Sequence, residues 1–154
     1  MRTRERTPER RKGASMPYFP EGMPVPLVEP LTEPYWASAR EHRLVIQRCT
    51  VCGTYRHLPH ALCGNCQSAD YEWADSAGRG SVYTYIIVGH SVHDATNEVV
   101  PYNVAIVELD DCGGVLVPSN VVDCAPEEMA VGMPVVVEWD ELTDEITFPR
   151  FRRA

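Results

Sequence analysis

The sequence predicts a mainly β protein, and three observations carry that prediction. Two Cys-x-x-Cys pairs, Cys49/Cys52 and Cys63/Cys66, stand ten residues apart. Beyond Gly78 and Gly80 come five segments rich in β-branched and aromatic residues, at 81–88, 104–109, 115–122, 134–139 and 145–148. A short segment with proline near its start, 125–129, falls between the third and fourth of them. Five strands with one helix in that place follow the element order of an OB-fold barrel. The expected architecture is an extended, disordered tail at 1–29, an N-terminal helix with a metal ribbon at 30–77, and a five-stranded OB-fold barrel at 78–154.

The front of the chain divides by composition. Residues 1–15 carry six basic groups (Arg2, Arg4, Arg6, Arg10, Arg11, Lys12) against Glu5 and Glu9, a surplus of +4, so the remainder stands at −12 for the total of −8. This head has no apolar periodicity and reads as tail, and Met16 just after it offers an alternative first residue. Pro17, Pro20, Pro24, Pro26 and Pro30 favour an extended run. Thr32 then stands as a helix N-cap with Pro34 in the first turn, where a missing N–H costs nothing, and Leu31 and Trp36 fit a hydrophobic staple. This helix is expected to reach about His42 and to bury Tyr35, Trp36 and Ala39 against its own chain or a partner. Short strands at 43–47 and 71–74 flank the cysteines. Turn-forming clusters at 94–97, 110–114 and 142–144 separate the barrel strands.

Composition narrows the class. A hydrophobic share of 44% supports a packed core and argues against wholesale disorder. No apolar run approaches the roughly 18–20 residues of a membrane helix, and the N-terminus lacks a secretory apolar core, so the expectation is a cytoplasmic protein. In that compartment, paired cysteines read as metal ligands rather than disulfides.

Cys49, Cys52, Cys63 and Cys66 would form two knuckles around one tetrahedral ion, with Gly53 and Gly64 suited to the tight turns. Four thiolates fill all four positions of zinc and leave none for water, so the zinc would be structural. Iron takes the same ligands, but no second redox group accompanies them. With the thiolates saturating the ion, His57 and His60 are expected on the ribbon surface. Cys112 and Cys124 read as ordinary thiols, and His90 and His93 as polar loop residues with a minority metal or acid–base role.

A ribbon beside an OB-fold raises nucleic acid as a ligand, and the charge pattern opposes it. From residue 80 to 149 there is no lysine or arginine, against thirteen carboxylates. A strand-binding groove needs positive potential and counterion release. Tyr83, Tyr85 and Tyr102, at alternate positions, are more simply barrel-wall residues.

Several motifs together resemble a family: the acyl-CoA-associated OB-fold proteins with an N-terminal rubredoxin-like zinc ribbon, a domain of unknown function. They are Pro34-Tyr35-Trp36, Gln47-Arg48-Cys49 with Cys52-Gly53, Cys63 with Cys66, Trp73, Gly78-Arg79-Gly80-Ser81-Val82, Pro101-Tyr102, Val107-Glu108-Leu109, Ser119-Asn120, Val131-Gly132-Met133-Pro134-Val135 and Phe148-Pro149-Arg150-Phe151. The likeness spans about residues 30–151. His60 after Pro59 and Gly64 inside the second pair depart from the family pattern, and neither removes a ligand.

The resemblance implies an accessory subunit of a thiolase-superfamily enzyme of lipid-transfer-protein type. Such pairs act as aldolases on acyl-CoA esters, for example in steroid side-chain degradation, with the catalytic groups in the partner. The acidic barrel suits coenzyme A phosphates poorly, so contacts to acyl-CoA or the partner are expected on the ribbon side, at Arg43, Arg48, Arg56, His57, Arg79, Tyr35 and Trp36. The alternative from another class is a stand-alone acyl-CoA-binding protein in which His90 and His93 act.

Overall fold

The computed structural model describes residues 18–154. The basic head and Met16 lie outside the described residues. From Tyr18 to Leu31 the chain runs without regular helix or strand, as its prolines dictate.

Helix α1 spans Glu33–Arg40, with Pro34 in its first turn. Thr32 occupies the N-cap position, but its hydroxyl turns back to accept the Glu29 N–H at 3.1 Å instead of capping. The helix ends two residues before the expected His42, because His42 adopts a left-handed φ of 57° and closes a turn onto Ala39. Tyr35, Trp36 and Ala39 face inward, and the Trp36 ring meets Phe148 at 5.9 Å. The helix therefore packs on its own chain.

Three strands form the ribbon sheet: β1 (Leu44–Cys49), β2 (Tyr55–Arg56) and β3 (Tyr71–Ser76), in the order β2-β1-β3, all antiparallel. Leu44, Val45 and Ile46 are buried in the same core as Trp36, Val82, Val107, Val135 and Phe151. One apolar core thus runs through helix, ribbon root and barrel.

The second sheet contains β4 (Arg79–Val88), β5 (Tyr102–Leu109), β6 (Leu116–Ser119), β7 (Pro134–Glu141) and β8 (Thr147–Arg153), ordered β6-β5-β4-β7-β8 and antiparallel throughout. Its edges meet through a parallel bridge between Val121 and Phe151. Phe151 N–H donates to Asn120 O at 3.0 Å, and Val122 N–H to Phe151 O at 2.7 Å. This curled five-stranded sheet has the OB strand order expected from the sequence. The short element between β6 and β7 is one 3-10 turn, Pro126–Glu128, tied by a 2.9 Å bond from Ala125 N–H to the Glu128 carboxylate.

The last strand departs from expectation by running five residues further, to Arg153. Phe151 is fully buried, and Arg150, 5% exposed, turns inward as well. Its guanidinium pairs with Asp140 at 3.1 Å, bonds Asn120, and lies 4.3 Å over the Phe148 ring. Arg152 and Arg153 face outward, at 2.9 Å from Glu138 and 2.8 Å from Glu128. A run of arginines reads as surface until its carboxylate partners on neighbouring elements are known.

Ribbon and barrel are fastened at two ends. Asp111 accepts from the Ser76 hydroxyl at 2.7 Å and the Ala77 N–H at 2.6 Å, which holds its carboxyl below the usual range against the burial that raises it. At the other end the His42 ring stacks on Trp139 at 5.5 Å, and Arg40 donates to Glu145 O at 3.1 Å.

Gly80 is where the barrel begins, and β5 lies directly over it. A Cβ there would overlap the Glu108 carbonyl, whereas one at Gly64 meets nothing within 4 Å. Gly80→Ala is expected to destabilise the protein by about 2–3 kcal/mol. Gly64→Ala should stay within about 0.5 kcal/mol of wild type. The denaturant midpoints of the two variants check this.

Candidate metal centre

The two cysteine pairs are built alike. In the first, Gly53 N–H donates to Cys49 O at 2.9 Å and Cys49 N–H to Thr54 O at 2.9 Å. In the second, Gln67 N–H donates to Cys63 O at 2.8 Å and Cys63 N–H to Ser68 O at 2.8 Å. Each turn places a left-handed residue just after its second cysteine: Gly53 at φ 74° and Gln67 at φ 60°. The sequence had suggested Gly64 for the second turn. Gly64 needs no left-handed backbone, and Gln67 takes the residue position equivalent to Gly53, at a steric cost glycine avoids.

These turns bring four sulfur atoms within 4.8 Å of one another. Cys49 Sγ stands 3.6 Å from Cys66 Sγ, and Cys52 Sγ 3.5 Å from Cys63 Sγ. A tetrahedral ion with metal–sulfur bonds of about 2.3 Å separates its ligands by about 3.8 Å, so the donor set fits zinc. Thr54 Oγ1 lies 3.2 Å from Cys52 Sγ. Its hydroxyl, the Thr54 N–H and the Asn65 side chain draw Cys52 down to about 5. Backbone N–H groups of Cys66 and Asn65 likewise lower Cys63. The Ser68 N–H favours a Cys66 thiolate, but the neighbouring sulfurs and burial prevail and push it up to about 12. Four sulfurs this close carry full negative charge together only around a cation. Bound there, zinc would supply a closed structural crosslink with no position for substrate.

The ribbon-side residues singled out from the sequence have different surroundings. Arg43 is exposed and held by Asp75 at 2.8 Å and Glu41 at 3.5 Å. Arg48 pairs with Glu72 at 3.3 Å and lies 5.6 Å over the Tyr55 ring. Arg79 is exposed at the start of β4. Tyr35 and Trp36 are buried within the chain, and burial raises the Tyr35 pKa. His57, expected on the surface, instead lies half-buried against Tyr35 at 5.5 Å, and burial lowers it to about 4. It is therefore neutral at pH 7 and contributes no positive charge there. His60 is exposed.

Arg56 differs from the other arginines. It is 9% exposed, its Nε donates to Gln47 Oε1 at 2.6 Å, and its guanidinium lies 5.4 Å over the Tyr71 ring. Gln47, wholly buried, also accepts the His60 N–H at 2.9 Å. The sequence drew attention to Arg56 but gave Gln47 no role beyond its place in a motif. The available signal was an amide directly after the apolar run Leu44-Val45-Ile46 and before the ligand Cys49, where a buried polar group must have a partner.

The remaining candidates have local duties. His93 Nδ1 accepts the Ala95 N–H at 3.2 Å and caps the 3-10 turn Asp94–Thr96, while His90 is exposed in the preceding loop. Burial pushes the Cys112 thiol up to about 11. Cys124 Sγ lies 3.6 Å from Arg153 Nη2.

Two family models cover the chain, the ChsH2 rubredoxin-like zinc ribbon domain over residues 36–72 and the ChsH2 C-terminal OB-fold domain over residues 73–140. A solved chain of an Ltp2-ChsH2(DUF35) aldolase superposes with a TM-score of 0.74 at 40% identity, covering 84% of this chain and 98% of that one. The chain belongs to the ChsH2 (DUF35) family. A "Probable enoyl-CoA hydratase alpha subunit" of Thermomonospora curvata is 43% identical over 120 residues, 78% of this chain. The 3-oxo-4,17-pregnadiene-20-carboxyl-CoA hydratase alpha subunit of Mycobacterium tuberculosis is 29% identical over 125 residues, 81% of this chain. The chain spans 36% and 39% of the length of these two relatives. Among the described residues no helix is long and apolar enough to cross a membrane.

Beyond β1, residues 50–70 of this ChsH2 ribbon bury no apolar side chain except Cys63, so the metal should decide the folding of that part. Cys63→Ser is expected to lose stoichiometric zinc and to open residues 50–70 to protease while the barrel stays resistant. Elemental analysis and limited proteolysis of wild type and variant check both.

Proposed function

We propose that this chain is the zinc-stapled accessory subunit of a thiolase-like acyl-CoA enzyme that cleaves a carbon–carbon bond, as in steroid side-chain degradation. The observation carrying this reading is the likeness to the Ltp2-ChsH2(DUF35) aldolase chain, 98% of which the present chain covers at 40% identity. The hydratase relatives point to the same substrate class, acyl-CoA esters, one of them steroidal by name. Since the chain matches a minority of their length, their hydratase chemistry is not carried over with the match.

The chemistry of the site supports an accessory role. Its metal-ligating cluster is a closed thiolate set, which offers no Lewis-acid position and no activated water. The acyl-CoA and the reacting groups then belong to the partner, and this chain shapes or shields the complex. Its acidic barrel is a poor surface for coenzyme phosphates. Any phosphate contact from this chain falls on the ribbon side, at Arg43 or Arg48, whose exposed ion pairs exchange at little cost, or at the exposed Arg79.

The test is co-expression with a thiolase-like acyl-CoA aldolase subunit from the same organism. A stable hetero-oligomer, with acyl-CoA cleavage well above that of the partner alone, is the expected outcome. Separate elution of the two chains, with the partner's turnover unaffected by added ribbon–barrel chain, would refute the reading.

A further inference from the structure

The ribbon contains a buried positive charge that no carboxylate among the described residues neutralises. Arg56 Nη1 and Nη2 and Gln47 Nε2 are buried and find no hydrogen-bond acceptor among the described residues. A buried donor left without an acceptor keeps its full desolvation cost, and a charged one keeps the most. Arg43 and Arg48, on the same ribbon, already have carboxylate partners. Arg56 has none among the described residues.

Its surroundings indicate what completes it. Arg56 lines a depression of about 560 Å³ with Tyr55, His60, Leu62 and Asn65. Tyr71 stacks on the guanidinium. Leu62 is 58% exposed, and Leu58, two residues from Arg56, is 61% exposed. An arginine set among tyrosine and leucine side chains has the composition of an interface hot spot, in which a desolvated polar anchor is ringed by apolar contacts. A planar guanidinium edge beside an amide N–H matches the two oxygens of a carboxylate. A phosphate dianion would call for more positive charge than the single cation this depression offers.

We propose that Arg56 and Gln47 form a receptor for one carboxylate side chain of the partner protein, so that the ribbon docks through a buried ion pair completed across the interface. This rests on the reading of the chain as an accessory subunit. Arg56 lines the depression while its Nη1 and Nη2 are buried, so the entering carboxylate reaches them as neighbouring lining side chains move aside.

The experiment compares zinc-loaded wild type with Arg56→Lys and Arg56→Gln, measuring affinity for the thiolase-like partner and thermal unfolding of the free chain. The complex should weaken about 30-fold or more, mainly through faster dissociation, as expected when one member of a desolvated charge pair is lost. The free chain of Arg56→Gln should melt no lower than wild type, because the substitution removes an uncompensated buried charge. Unchanged affinity overturns the proposal. So does a loss of affinity that merely parallels a fall in free-chain melting temperature, which marks a structural arginine.

If wild type forms no complex, the accessory reading fails, and the Arg56 Nε–H NMR resonance of the free chain decides this proposal. A saturating shift with sodium acetate that Arg43 and Arg48 do not share supports a carboxylate receptor. No shift, or a shift with sodium phosphate alone, overturns it.

Discussion

Four sulfur atoms held within 4.8 Å of one another set the terms for the front half of the molecule. Thiolates repel, and the hydrogen bonds from Thr54, Asn65, Cys66 and Ser68 favour charge at three of them without removing that repulsion. A divalent cation at their centre reconciles the two, and the free energy of binding it becomes folding free energy for the ribbon. Everything distal to β1 hangs on that point: the two-residue strand β2, the loop carrying Leu58 and Leu62, and the position of Arg56 beside Gln47.

The barrel and the ribbon treat buried charge in opposite ways. In the barrel, Arg150 is paired with Asp140, bonded to Asn120 and covered by Phe148, so it locks the β6–β8 closure with its needs met inside the chain. In the ribbon, Arg56 has aromatic cover and, among the described residues, a single amide acceptor. Replacing a fully paired charge is a matter of internal stability, whereas an uncompensated one stores binding potential for a partner. The shared core, together with the Asp111 and His42 contacts, holds the ribbon on the barrel, which would limit the ordering cost of the proposed docking.

The cysteine cluster and the OB element order were legible in the sequence because they rest on local patterns: cysteine spacing and β-branched runs between turn residues. What escaped was set by partners distant in sequence. The extension of β8 depends on Asp140 and Asn120 accepting Arg150 inside the barrel, which converts a charged tail into a buried strand. His57 reads as a polar loop residue until α1 folds over it and sets Tyr35 against its ring. Gln67 shows no glycine signal, although its turn repeats that of Gly53. The importance of Gln47 follows from the register that sets it opposite Arg56, a pairing across the sheet that no window on the sequence displays.

Bound among these four sulfurs, the ion would staple a docking surface in place and perform no step of the reaction. Exchange of zinc for cobalt in the assembled complex tests it most directly. Cobalt takes the same tetrahedral thiolate site and reports its geometry in the visible spectrum, while its Lewis acidity and water-exchange behaviour differ from zinc. A structural ion gives a tetrahedral cobalt–thiolate spectrum with complex stability and acyl-CoA turnover unchanged from the zinc form. A cobalt complex that assembles normally but turns over about tenfold faster or slower would contradict it.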